Sequence, residues 1–286
     1  MSGASIIIEL WQHFFDNYQT IEAKQDSTLC LESVKMRDEI VPYKTSGDSK
    51  REQIEKMFNS VSGNYDLLNI IITWRMDKKW RKNVLKIIAS RKPDRILDIA
   101  TGTGDMALLL SRTNARYILS VDISQGMLDV ANKKIRHCNL QARIRTEIQD
   151  AENLALPDNS FDVATIIFGV RNFGNLEKGL AEALRVVKPG GALVVLETSI
   201  PENSLLKFGY SFYTKRVMPT IASLFASDKR AYTYLSESAL NFPYGKEFVK
   251  ILENAGFSKV KSIPQMGGLS TIYCAEKQEE FQLTKK

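Results

Sequence analysis

Cysteine and histidine are both scarce in this 286-residue chain. The three cysteines, Cys30, Cys138 and Cys274, stand far apart and form no CxxC pair. That spacing argues against a zinc site or a disulfide framework and leaves them as small hydrophobes, so no metal centre is expected. The two histidines are His13, near the start, and His137, at the end of a predicted helix and away from any predicted site loop. The commonest general base is therefore missing from any candidate site. Long apolar runs are missing too: nothing approaches the roughly 20 residues of a membrane-spanning helix. The first apolar stretch, Ile6-Ile7-Ile8, has no basic segment ahead of it and no small-residue cleavage site before Asp16. A signal peptide is not expected, and the protein is expected in the cytoplasm.

What is present is an ordinary globular composition, 44% hydrophobic and 25% charged, at a length suited to one decorated α/β domain or two small ones. The net charge of +6 is uneven: residues 1–60 carry 7 Lys/Arg against 10 Asp/Glu, and the densest basic run is Arg75–Arg95, with Lys78, Lys79, Arg81, Lys82, Lys86, Arg91 and Lys92. Such a surface suits nucleic acid, an anionic membrane or plain solvent. The first 35 residues read poorly as part of a domain, and Met36 follows them. Either translation starts at Met36, or Ile6–Tyr18 forms an accessory helix.

From Asp48 the pattern becomes helical, with Ser49, Gln53 and Glu55 marking a start and Met57 and Phe58 following. A second helix is expected at about Asp77–Ser90, with Trp80, Val84, Ile87 and Ile88 on one face. The rhythm then changes to strand–helix alternation. Strands are expected at Arg95–Ala100, Tyr117–Val121, Arg143–Ile148, Phe161–Phe168 and Ala192–Glu197. Helices are expected at Asp105–Thr113, Gln125–Cys138 and Leu176–Val187, the last ending at Lys188-Pro189-Gly190-Gly191. This alternation predicts a parallel sheet with right-handed crossovers. Two final strands, Lys259–Ile263 and Ser270–Ala275, have only a Gly267-Gly268 turn between them and should be antiparallel. That tail separates this doubly wound, Rossmann-like class from the dinucleotide-binding dehydrogenases.

The strongest chemical signal is Ile96-Leu97-Asp98-Ile99-Ala100-Thr101-Gly102-Thr103-Gly104-Asp105. A buried strand runs into a glycine-bearing turn that opens a helix, where backbone and ligand can approach closely and free N–H groups are presented. A dehydrogenase would more typically carry a third glycine where this chain has Ala107. Asp122 closes the second strand, where a carboxylate can accept both hydroxyls of a ribose. Asp150-Ala151 follows the third, where a side chain and a backbone N–H can read an adenine edge. Three acidic stations at successive strand ends point to a nucleoside-bearing cofactor. Asp98 has the alternative of bracing its own loop.

The segments LDIATGTGDMA, VDISQGML, DAENLALPDNSFD, FGVRNFGNLEKGLAEALRVVKPGG and YLSESALNFP together resemble the ubiquinone/menaquinone biosynthesis C-methyltransferase family, over about Lys50–Ala275. The resemblance implies a class I methyltransferase: a seven-stranded sheet with an antiparallel terminal strand and S-adenosylmethionine as cofactor. It implies cofactor contacts at Thr103, Asp122, Asp150 and Ala151, beside Asp98, Gly102 and Gly104 of the loop. Ile167 departs from relatives that often show serine, and Tyr273-Cys274 replaces a frequent His-containing segment. The expected division is an accessory extension over residues 1–47 and a methyltransferase domain over 48–286, with a helical lid at 48–92 and an aromatic insertion at 201–242. Tyr65, Asp66 and Asn69 match a YDxxN element that lies over the site.

A quinol carbon becomes nucleophilic as the neighbouring hydroxyl loses its proton, so a base or a phenolate stabiliser is wanted. Just beyond strand four, Arg171 is expected to stabilise that phenolate or activate a water, and Asn172 and Tyr65 to orient the ring. Arginine stays protonated, which favours the electrostatic role; the alternative is that Arg171 anchors its loop through carbonyl bonds. The insertion's aromatics and its Lys215, Arg216, Lys229 and Arg230 suit a prenyl channel and a peripheral contact at a lipid surface. The expected partners are a prenylated quinol, the inner membrane face and a second copy of the chain as a homodimer. Nucleic acid is not expected, because Phe168-Gly169-Val170-Arg171-Asn172 stands where a base-amino methyltransferase carries Asn/Asp-Pro-Pro-aromatic. The FGVRNFGNLEKGL stretch and the tail resemble the menaquinone-side relatives more, and that resemblance implies demethylmenaquinol as substrate; the ubiquinone branch and another lipophilic small molecule remain the alternatives.

Overall fold

The computed structural model describes residues 40–66, 69, 73, 75–201, 203 and 229–279. The chain divides between Ile40 and Val41. Residues just before the first helix are tied to it: Gln53 Oε1 accepts the Tyr43 amide at 2.9 Å and its Nε2 donates to the Asp48 carbonyl at 2.8 Å. The accessory helix, the question of Met36, Lys215, Arg216 and most of the aromatic insertion lie outside the described residues.

Helix α1 spans Lys50–Val61 and starts at a capping box between Ser49 and Glu52, which satisfies two otherwise orphaned amides. Helix α2 spans Met76–Ser90 and buries Trp80, Val84 and Ile88, the face expected from their spacing. The alternating part follows as β1 (Arg95–Ile99), α3 (Asp105–Leu110), β2 (Tyr117–Asp122), α4 (Gln125–His137), β3 (Ile144–Ile148), β4 (Phe161–Ile167), a 3₁₀ turn (Val170–Asn172), α5 (Leu176–Val186) and β5 (Val187–Thr198). Then come α6 (Lys229–Asn241), α7 (Lys246–Asn254), β6 (Phe257–Gln265) and β7 (Ser270–Lys277).

The seven strands lie in the order β3-β2-β1-β4-β5-β7-β6. β1 to β5 pair in parallel, and β7 slots antiparallel between β5 and β6. Successive residues point to opposite faces, so each central strand feeds two cores. Leu97, Ile99, Leu119, Val121, Ile166 and Val195 pack with α5 and α7, and Ile96, Ile118, Val163 and Val194 pack with α2 and α3. Each of these side chains is buried, which contributes about 1.5–3 kcal/mol apiece. The two cores make the sheet doubly wound. Strand order reverses between β1 and β4, and the crevice at that reversal, outside the carboxyl ends of the strands, is where such sheets hold ligands.

Three elements differ from expectation. Strand β5 starts at Val187, ahead of the Pro-Gly-Gly turn, because Val187 pairs with Phe161 before the register slips to Val163–Ala192. Helix α6, inside the expected aromatic insertion, and helix α7, which buries Phe248 and Leu252, went unread.

Candidate active site

The loop after β1 is held from below. Asp98 is fully buried, and its two oxygens accept the hydroxyls of Thr101 and, from β4, Thr165, each at 2.6 Å. Burial pushes its carboxyl above the usual range. Asp98 braces the loop against β4 and is not among the residues on the cleft wall. Above it the chain turns through left-handed backbone at Ala100, Gly102 and Gly104 (φ 54°, 57° and 81°). At Gly104 a Cβ would sit 2.9 Å from the Ala131 Cβ, so the loop packs directly on α4. At Gly102 a Cβ would meet nothing within 4 Å: the loop is open towards the cleft.

At the tip of β2, Asp122 accepts the Gly102 amide at 2.8 Å and the Ser124 amide at 2.9 Å. Burial outweighs these bonds and pushes its carboxyl from 3.8 up to about 6. At the tip of β3, Asp150 accepts the Glu152 amide at 2.9 Å and Arg51 Nε at 2.6 Å. Ala151 lies beside it on the wall. Arg51 comes from α1, which docks through Asn59: its Oδ1 accepts Ser124 Oγ and the Gly126 amide, both at 2.8 Å.

Thr103, next on the loop, donates to Asp66 at 2.6 Å. Lys134, from α4, clasps Asp66 at 2.6 Å and Asp105 at 2.7 Å. The Tyr65-Asp66 element is thereby fastened over the loop. Sequence reasoning missed Arg51, Asn59 and Lys134. Their partners lie far away in the chain, and no local pattern signals such pairs.

Across the switch point, the chain leaves β4 through Phe168, another left-handed residue at φ 57°. Gly169 follows, where a Cβ would come within 2.6 Å of the Ala100 Cβ. The two strand ends are thus in direct contact. Tyr65 and Asn172 both line the cleft, and Tyr65 packs edge-on against Phe58, ring centroids 6.0 Å apart. Asn172 Oδ1 accepts the Tyr234 hydroxyl at 3.3 Å. Arg171 sits a layer behind that wall. Its Nη1 donates to Glu197 of β5 at 2.6 Å and to the Phe168 carbonyl at 3.1 Å. Burial works against its charge, but the Glu197 carboxylate prevails and lifts the guanidinium above its ordinary value. Nε of Arg171 and Oε2 of Glu197 are buried without hydrogen-bond partners. Burial also raises the Tyr234 phenol.

The cleft runs across the strand ends from β3 to β4. Along one edge of the sheet it brings together the glycine loop, Asp122, Asp150, Ala151, Tyr65 and Asn172, while Asp98 and Arg171 stand behind its surface. Sheet order, glycine loop and acidic strand tips define a class I, Rossmann-like methyltransferase fold. Solved structures bear the same architecture: a SAM-dependent methyltransferase of Thermotoga maritima superposes with a TM-score of 0.54 at 20% identity, over 79% of this chain and 100% of that one. The [4+2]-cyclase SpnF does so with a TM-score of 0.56 at 18% identity, over 80% and 96%. That a cyclase shares the fold shows that fold alone does not settle chemistry.

The chain belongs to the ubiE/COQ5 methyltransferase family, whose profile matches residues 46–277. It is 36% identical over 242 residues to a demethylmenaquinone methyltransferase of Bacteroides fragilis, covering 84% of this chain and 98% of that protein. It is 42% identical over 230 residues to the ubiquinone/menaquinone biosynthesis C-methyltransferase UbiE of Geobacter sulfurreducens, covering 80% and 90%.

Proposed function

We propose that this protein methylates a ring carbon of a prenylated quinol, demethylmenaquinol, to give menaquinol, with S-adenosylmethionine as methyl donor. The observation that carries the reading is the meeting, in one cleft, of nucleoside-type stations at β1 to β3 with Tyr65 and Asn172 across the switch point. The residues present fit the cofactor: the face of Gly102 is open, and Asp122 is a buried carboxylate whose ionised form gains from further donors such as ribose hydroxyls. Asp122 would hold the ribose, Asp150 and Ala151 the adenine, and Gly102, Thr103 and Gly104 the backbone cradle. Bound there, the cofactor supplies a methyl group made electrophilic by its sulfonium.

The chain's own groups orient the acceptor and favour its phenolate. Asn172 spends its carbonyl on Tyr234, which leaves the amide hydrogens for a quinol oxygen. Tyr65, held by the Asp66–Lys134 clasp, orients the ring. Arg171 acts from behind as a positioning residue: paired with Glu197, it anchors the Phe168 carbonyl and so holds the loop that carries Asn172. The hydrogen replaced on the ring leaves as a proton to solvent. Among the described residues no helix is long and apolar enough to cross a membrane. The exposed Lys78, Lys79 and Lys82 of α2 support a peripheral contact with anionic lipid, which flotation with anionic vesicles tests.

The full-length protein, S-adenosylmethionine and two reduced acceptors, demethylmenaquinol and a demethylated benzoquinol, compared by mass spectrometry, test the substrate. Methylated naphthoquinol is expected. Methylation of the benzoquinol alone would move the chain to the ubiquinone branch, which the name of the Geobacter relative also spans. Methylation of neither, with the cofactor bound, would refute the quinol assignment.

A further inference from the structure

The basic run of α2 is not one uniform surface. Lys78, Lys79 and Lys82 are exposed, but the Arg81 side chain is only 13% exposed and turns inward. It lines the cleft together with Ala100, Gly102, Asp105 and Phe168. Its guanidinium lies 5.7 Å from the centroid of the Phe168 ring, the residue that leaves β4 in left-handed backbone. A cation over an aromatic face is held in place but not neutralised.

Charge pairing distinguishes Arg81 from the other cations around the cleft. Arg51 has Asp150 at 2.6 Å, Lys134 has Asp66 at 2.6 Å, and Arg171 has Glu197 at 2.6 Å. Among these described cations Arg81 alone has its carboxylate, Asp77, as far away as 3.5 Å. Its Nε is buried and finds no hydrogen-bond partner. Asp77 in turn already accepts the Thr73 hydroxyl at 2.9 Å. A buried guanidinium donor left unsatisfied carries a large desolvation cost, which an anion in the cleft would remove.

Position along the sheet edge says which anion. The strands run β3, β2, β1, β4. Asp150 and Ala151 follow the first, Asp122 closes the second, and the open glycine loop follows the third. Arg81, against Phe168, stands at the fourth. A nucleoside laid over the first two stations sends its 5′ substituent across the loop towards Arg81. In S-adenosylmethionine that substituent ends in an amino acid. Asp105, the carboxylate on the same wall, shares the Lys134 ammonium with Asp66, at 2.7 and 2.6 Å, which weakens its opposition to an incoming anion there.

We propose that Arg81 binds the carboxylate of the cofactor's amino-acid arm and so fixes the far end of the donor molecule. The proposal rests on the cofactor reading above, and the test separates the two. Isothermal titration of the full-length protein compares S-adenosylhomocysteine with its decarboxylated analogue, which keeps the nucleoside, thioether and ammonium. The native protein is expected to prefer the carboxylate-bearing ligand by on the order of tenfold to a hundredfold, the worth of a charged hydrogen-bonded pair. Arg81→Met should lose that preference by weakening S-adenosylhomocysteine alone, and Arg81→Lys should keep part of it.

Persistence of the preference in Arg81→Met would overturn the proposal, as would equal affinity of the native protein for both ligands. Binding of neither ligand would instead sink the cofactor reading itself. Thermal melts of the free variants check folding. If Arg81→Met does not fold, the native comparison and Arg81→Lys decide: a lysine variant with the full native preference would contradict the role given to the guanidinium.

Discussion

Asp122 should make the free protein less stable as the pH rises through the weakly acidic range. Its carboxyl is buried at the tip of β2, and burial lifts it from 3.8 to about 6, although the Gly102 and Ser124 amides both donate to it. Between those two values the folded protein keeps a proton that the unfolded chain has released. Stability therefore falls with rising pH across that window and levels off above it. At about 1.4 kcal/mol per pH unit, the interval corresponds to about 3 kcal/mol. Asp122→Asn cannot titrate, so the difference between native and variant isolates the group. Urea denaturation from pH 4 to pH 8 should show the native protein losing about 3 kcal/mol relative to the variant by pH 7. Saturating S-adenosylhomocysteine should flatten the slope, because ribose hydroxyls stabilise the ionised carboxylate. A difference that stays level or rises with pH in the free protein would refute the reasoning, since the amide bonds would then outweigh burial.

Other perturbations follow from the same geometry. Glu197→Gln leaves the buried Arg171 without its counter-charge and should cost about 3–5 kcal/mol in urea denaturation; adding Arg171→Met should restore part of that loss. Gly104→Ala forces a side chain into φ 81° and against the Ala131 Cβ at 2.9 Å. It should cost about 1–3 kcal/mol in thermal stability and weaken S-adenosylhomocysteine in calorimetry. Lys134→Met releases Asp66 and Asp105 to repel each other over the loop. As a partly exposed group it should cost under about 1 kcal/mol of stability, yet weaken cofactor binding measurably by the same calorimetry.

Local pattern revealed the parts of this molecule that local forces build. The run Ile96–Ile99, apolar apart from Asp98, with glycines following at 102 and 104, announced β1 and its loop, and the spacing of Trp80, Val84 and Ile88 announced α2. Asp122 and Asp150 could be placed because a doubly wound sheet brings its strand ends to one edge. Pairings made by tertiary packing left no such trace. Arg51 meets Asp150 only because α1 folds over β3. Nothing local to Glu197 foretells that it turns inward to meet Arg171 across two strands. That pair withdraws Arg171 from the surface where its position after β4 suggested it would stand. The basic run of α2 looked uniform in sequence, and only the packing of Phe168 singles out Arg81. Helix α7 was legible in the spacing of Phe248 and Leu252, but the aromatic stretch before it drew the reading to an insertion.

Transfer of a methyl group to a ring carbon can be followed by the position of an isotopic label. The full-length protein would be supplied with S-adenosylmethionine carrying a 13C-labelled methyl group and with reduced demethylmenaquinol, and the product would be analysed by NMR. The label is expected on the ring carbon beside a free hydroxyl, in a product that still oxidises to the quinone. A label on oxygen, in a methyl ether that no longer oxidises, would contradict it, as would an unlabelled acceptor recovered from protein with its cofactor bound.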